Sequence, residues 1–212
     1  MIIKLIINLV PVFIAIIAHE FAHGYVAYKL GDNTAKRFGR LSLNPIKHID
    51  LFGTLVLPLA LLFSQVGFVF GWAKPVPINF HNFKKPKRDM LLVSSAGIIA
   101  NLYLALTSAL VVYLCSFINN QYWQGLISLF FINMVVFNVV LIVFNILPIP
   151  PLDGSKIFLG WIDEPWAKRY LSEEKYGLLA IVVFAFILPF LNVNIFGSYM
   201  MNVSKMIISW LI

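Results

Sequence analysis

Ile16-Ile17-Ala18-His19-Glu20-Phe21-Ala22-His23-Gly24-Tyr25 sets two histidines four residues apart inside an apolar run that reaches from Ile2 to Leu30. On an α-helix, residues i and i+4 share a face, so both imidazoles project the same way and can grip one metal ion. Glu20 follows His19 directly and lies on the flank of that face, within reach of a metal-held water. Apart from Lys4 and Asn8, the residues before the pentad are apolar. The helix is long enough to cross a bilayer, where three ionisable groups are costly unless they face the protein interior and serve a metal or a proton path. The alternative is a chance pentad whose histidines bond backbone carbonyls. That reading leaves ionisable groups at lipid depth without a function.

The composition has the same character throughout. Of 212 residues, 60% are hydrophobic and 12% charged, with a mean hydropathy of +0.88; a soluble domain averages about 25% charged. The expected fold is an all-α polytopic membrane protein, a helical bundle forming one domain over residues 1–212. The net charge of +7 comes from Lys and Arg in the connecting loops. In this setting it signals cytoplasmic loops and contact with anionic membrane lipid, not nucleic acid. Cys115 is the single cysteine, which excludes an intrachain disulfide and a Cys-rich zinc site. The N-terminal run passes into the pentad rather than ending at a small-residue cleavage site, so it is expected to persist as a helix.

Further spans are expected at residues 90–118 and 126–147. The first is rich in small residues that permit close helix approach (Ser94, Ser95, Ala96, Gly97 and Ala100). Pro11 is expected to kink or loosen the first helix. Residues 71–78 carry prolines and β-branched side chains and read as extended chain. Residues 177–212, interrupted at Pro189 and Asn192-Val193-Asn194, form either one kinked span or two short helices. The basic stretches at residues 36–47 and 74–88 belong in the cytoplasm, with the uncharged turn at 119–124 outside. Residues 51–70 then make a re-entrant or half-inserted segment; otherwise they cross and the charge rule fails locally.

A catalytic zinc site takes three protein ligands and keeps one position open. His48, Asp50, His81 and Asp89 fall in basic loops and read as solvated or capping groups. Asp163, Glu164, Glu173 and Glu174 fall in an amphipathic, solvated region. Asp153 differs: it follows a long apolar helix in a proline-stiffened turn, at membrane level and on the same side as His23. It is the expected third ligand.

Together, Ala18-His19-Glu20-Phe21-Ala22-His23-Gly24 and Asn145-Ile146-Leu147-Pro148-Ile149-Pro150-Pro151-Leu152-Asp153-Gly154 resemble the site-2 protease family of intramembrane zinc metalloproteases. Asn44-Pro45, His48-Ile49-Asp50, Gly53-Thr54, the run from Gly71 to Pro77, and Ala96-Gly97 with Asn101 are similar to its compact bacterial and archaeal branch, which lacks a PDZ insert. Ile98 and Leu51 depart from that pattern, where proline and Asp-Pro are common. The resemblance implies one Zn2+ on His19, His23 and Asp153, with Glu20 as catalytic base. The implied activity is regulated intramembrane proteolysis of a transmembrane protein substrate, by a multi-pass protein of a prokaryotic cell membrane with its active site toward the cytoplasm. It also suggests that Asn145 holds substrate or the oxyanion; Asn101 shares that reading, against a structural role as an interhelical hydrogen bond. A transmembrane helix hides its carbonyls in its own hydrogen bonds, so substrate must unwind before attack. Residues 67–78 would then offer it a strand edge, or plug the cleft. The rival reading is a zinc transporter or zinc-binding regulator without protease activity, which needs the ligands but not Glu20. Oligomeric state is not legible.

Overall fold

The computed structural model describes residues 2–51, 53, 73–159, 161–162 and 164–212. Helix α1 spans Ile2–Lys29 and α2 spans Thr34–Arg37; α3 spans Pro86–Cys115, α4 Gln121–Asn145, α5 Asp153–Leu159 and α6 Pro165–Ser172. Helix α7 spans Glu174–Val182 and runs on through a π turn to Phe190, and α8 spans Ile195–Leu211. Single 3-10 turns lie at Pro45–His48 and Phe80–Asn82. The described residues contain no strand, and the all-α polytopic fold stands.

Among the described residues three helices are long and apolar enough to cross a membrane: α1 over Ile6–Lys29, α3 and α4. They begin and end where local chemistry allows. Helix α1 continues through Pro11 and stops at Gly31, whose φ of +109° only glycine adopts freely. Pro86 suits the first turn of α3, where its missing N–H is no loss, and Asp89 there accepts from the Lys85 amide at 3.0 Å. Asn120 caps α4 by accepting from the amides of Tyr122 and Trp123 at 3.1 and 3.2 Å.

The three spans pack on one another, and α8 covers one side of α4. Between lipid-embedded helices the gain is close packing rather than escape from water, so small and branched residues form the seam. Ala105 and Ala109 of α3 meet Val135, Val139 and Val143 of α4, a stripe at four-residue intervals buried completely or nearly so. Helices α1 and α4 run parallel. Near the start of α1, Asn133 Nδ2 donates to the Ile7 carbonyl and to Asn8 Oδ1 at 3.0 and 3.1 Å; beyond the end of α4, Asp153 reaches the histidines of α1. The common face required for a shared metal is therefore present.

Residues 177–212 resolve into two helical pieces meeting at 102°. The break falls at Asn192, which takes the left-handed conformation with φ of 58°, one that Asn tolerates better than most residues. The expected re-entrant segment at 51–70 lies almost entirely outside the described residues.

Candidate metal centre

His19 and His23 are buried, and their inner nitrogens converge on a single carboxylate oxygen. Asp153 Oδ2 lies 3.2 Å from His19 Nε2 and 3.1 Å from His23 Nε2, and the two Nε2 atoms are 2.9 Å apart. The other ring nitrogens are committed: His19 Nδ1 donates to Asn101 Oδ1 at 2.6 Å, and His23 Nδ1 donates to the Val93 carbonyl at 2.7 Å. Both acceptors require a proton on Nδ1, so each neutral ring presents a bare Nε2 inward. Asp153 Oδ2 is itself buried with no hydrogen-bond partner. Three acceptors facing one another repel, and a cation resolves the conflict. Zinc fits this donor set: nitrogen and oxygen ligands at 2.0–2.2 Å in a tetrahedron stand roughly 3.3–3.6 Å apart, a few tenths of an ångström wider than the separations here, and catalytic sites of this kind keep a fourth position open.

Helix α3 shapes the cradle. A Cβ at Gly97 would fall 2.4 Å from His23 Nε2 and 2.6 Å from His19 Cε1, so only glycine leaves room for both rings. One turn on, Asn101 is fully buried, and its Nδ2 donates to the Ala15 carbonyl at 3.1 Å and to Asn138 Oδ1 at 2.7 Å. These two bonds fix Oδ1 toward His19, as outer partners of metal-ligating histidines commonly do. Asn138 is held in turn by the Met134 carbonyl at 2.7 Å. One polar chain thus crosses α1, α3 and α4 at the metal centre.

Asp153 opens α5 after the turn at 146–152. A Cβ at Gly154 would sit 2.1 Å from the Ile146 carbonyl oxygen; glycine lets the turn fold back and deliver the preceding carboxylate to the histidines. Asn145, half-buried at the end of α4, spends one amide hydrogen on the Leu141 carbonyl at 3.0 Å. The other loop candidates stay apart. His48 is buried against the Ser42 carbonyl at 2.7 Å, Asp50 accepts from the Gly53 amide at 2.7 Å, Asp89 caps α3, and His81 is exposed.

Glu20 stands beside the cluster, and its Oε2 accepts from the Val76 amide at 2.7 Å. Residues 73–79 form an irregular strap across the pentad helix. The Arg40 guanidinium binds the carbonyls of Lys74 and Pro75, the Lys74 amide donates to the His48 carbonyl at 2.9 Å, and the Asn79 amide donates to Asp32 Oδ2 at 2.8 Å. Asp32 also accepts from Thr34 and from Asn82 Nδ2. Its burial opposes ionisation, but these hydrogen bonds outweigh it and hold the carboxyl below its ordinary pKa. Sequence reasoning missed Asn138 and the Val76 amide. Asn138 carried a signal, a carboxamide deep in an apolar helix; a backbone N–H carries none.

The model of Peptidase family M50 matches residues 116–190. YwhC of Bacillus subtilis, by name a candidate zinc metalloprotease, is 38% identical over 195 residues, covering 91% of this chain and 82% of its own. Rip2 of Mycolicibacterium smegmatis, named likewise, is 32% identical over 88% of this chain and 71% of its own length. Rip2 of Mycobacterium tuberculosis H37Rv is 31% identical over 87% and 68%. No solved structure matches. A paired-histidine and carboxylate centre, carried by a chain that aligns with these relatives over most of its length, belongs to peptidase family M50, the site-2 protease family of zinc metalloproteases.

Proposed function

We propose that this protein is an intramembrane endopeptidase that binds one Zn2+ through His19, His23 and Asp153 and hydrolyses peptide bonds within or near the transmembrane helices of other membrane proteins. The observation that carries this reading is the inward convergence of His19 Nε2, His23 Nε2 and Asp153 Oδ2 beside Glu20, with both histidines on a helix able to span the bilayer. Zinc, when bound, would supply Lewis acidity that lowers the pKa of water to about 7 and polarises a carbonyl. Glu20 takes the proton from the attacking water and returns it to the leaving nitrogen. The Val76 amide fixes one oxygen of Glu20 and leaves Oε1 for that transfer. Asn101 and the Val93 carbonyl hold the two imidazoles in the tautomer that binds metal. Asn145 retains one amide hydrogen for the substrate carbonyl. An unwound substrate segment would lie along residues 73–79, which run extended past Glu20.

The Lys and Arg distribution supports an active site toward the cytoplasm of a prokaryotic cell membrane. The test is incubation of the purified protein with a panel of single-span membrane proteins, against a Glu20→Gln control. Wild-type cleavage within or beside a span, absent in the control, is the expected result. Zinc uptake without cleavage of any panel member, unchanged in the control, would assign the chain to metal handling instead.

A further inference from the structure

A polar stripe runs along the outward side of helix α8, flanked by the exposed Met201, Met206 and Trp210. Ser198, Asn202, Lys205 and Ser209 are all exposed, and they recur at intervals of four, three and four residues. That is the seam spacing of paired helices. The opposite side, with Met200, Val203, Ile207 and Leu211, packs on the core of α3 and α4. The helix thus sets a stripe of polar groups, a lysine among them, at the centre of its outward side, where lipid exposure favours apolar residues.

The depth of Lys205 is set by α4. Phe196, at the start of α8, meets Phe144, at the metal end of α4, with ring centroids 6.4 Å apart. Ser204 and Lys205 instead line a cavity of about 340 Å³ together with Val136 and Val140. Val136 lies nine residues before Asn145, which is about 13 Å of helix rise. Since α4 has 25 residues, Lys205 stands near mid-span. Among the described residues it has no acidic partner. Beside it, the Ser204 hydroxyl is 4% exposed and has no hydrogen-bond partner.

We propose that this face of α8 docks a partner transmembrane helix that carries an aspartate or glutamate near its midpoint. Charge complementarity selects the occupant: an ammonium at this depth persists when a carboxylate meets it, and intramembrane charges pair with one another. Among the described residues, the membrane-spanning helices of a second copy offer no such group. Glu20 is engaged by Val76 at the metal centre, and Asp89 is buried in the first turn of α3. Lipid phosphates lie at the bilayer surface, well above the Val136 level. Asn202 and Ser209, one turn to either side, add hydrogen bonds across the same seam. The proposal does not rest on proteolysis, since its readout is binding.

The test uses the full chain in the Glu20→Gln background, so that no probe is cut, in phosphatidylcholine vesicles. The probes are synthetic leucine-rich single-span peptides with Asp or Leu at the central position, and association is read by energy transfer. The Asp peptide is expected to bind about tenfold tighter than the Leu peptide, an effect of the size seen for polar interhelical contacts. Lys205→Met should abolish that preference, Lys205→Arg should keep it, and Asn202→Leu should weaken it without changing zinc content. Equal binding of the two peptides, or a preference that survives Lys205→Met, overturns the proposal. So does self-association without peptide that Lys205→Met abolishes, which would assign the face to a second copy. Retention of phosphatidylglycerol that depends on Lys205 would assign it to lipid and overturn it likewise.

Discussion

Glu20 and Asp153 are both carboxylates at the candidate metal centre, but the proposed mechanism gives them different work, and they should fail differently. Glu20→Gln is expected to keep stoichiometric zinc and lose peptide hydrolysis by at least the 10²–10⁴-fold typical of a general base; zinc content and cleavage measured on one sample decide it. Asp153→Ala removes one of three ligands, so zinc occupancy and activity should fall together. Stoichiometric, tight zinc in that variant, with loss in Asp50→Ala instead, would move the third ligand to Asp50. Gly97 gives a sharper test, because it is not a ligand at all. In Gly97→Ala the new methyl would stand 2.4 Å from His23 Nε2, so the variant should fold and fail to hold zinc. Asn101→Leu should lower zinc affinity roughly 10–100-fold through the freed His19 ring, and competition with a chelator measures it. The convergence of His19, His23 and Asp153 was legible in the sequence because two sit on one helical turn and the third follows a long apolar run. Their supports were not, since Asn101 meets His19 across 82 positions and no local pattern records that.

Among the elements, the three long spans were readable because lipid demands unbroken apolar helices, and observed ends fall within a few residues of expectation. The strap at 73–79 was readable only as extended chain. Its path over Glu20 depends on Arg40 and Asp32, both buried in the loop that follows α1. Asp32 makes this element sensitive to acid. Its folded pKa lies below the ordinary value of 3.8, so its contribution to stability is complete above that value and is lost as pH falls through the folded pKa. In detergent, the gap in melting temperature between wild type and Asp32→Asn should be widest above pH 4 and close progressively in more acid solution. A gap that grows on acidification would contradict the hydrogen-bonded carboxylate described here. Helix α8 was the least legible element: the sequence marked breaks at both Pro189 and Asn192-Val193-Asn194, and the chain turns at the second, where Asn192 takes a φ of 58°.

For the whole molecule, the orientation in the bilayer remains a matter of charge placement, and it can be tested directly. Single cysteines at Ser42, Asn82, Asn120 and Ser172, in a Cys115→Ala background, should report on it through a membrane-impermeant thiol reagent applied to intact cells. Only the Asn120 position is expected to label before the membrane is opened. Labelling at Ser42 or Ser172 would invert the expected arrangement. Labelling at Asn82 together with Asn120 would mean that residues 51–70 cross rather than return.

The polar chain from His19 through Asn101 to Asn138 also bears on biogenesis. In the proposed site two ligands lie on α1, but the third, Asp153, follows α4, and the groups that fix the ring tautomers sit on α3 and α4. A nascent chain inserted only as far as α1 has its histidines in the bilayer with neither Asn101 nor the Val93 carbonyl to orient them. High-affinity metallation is therefore a late event, possible once three helices have assembled and the turn at 146–152 has closed. Until then the proposed hydrolase is kept without its metal by the order of its own synthesis. Acquisition of zinc marks completed assembly, and inactivity during insertion needs no separate inhibitor.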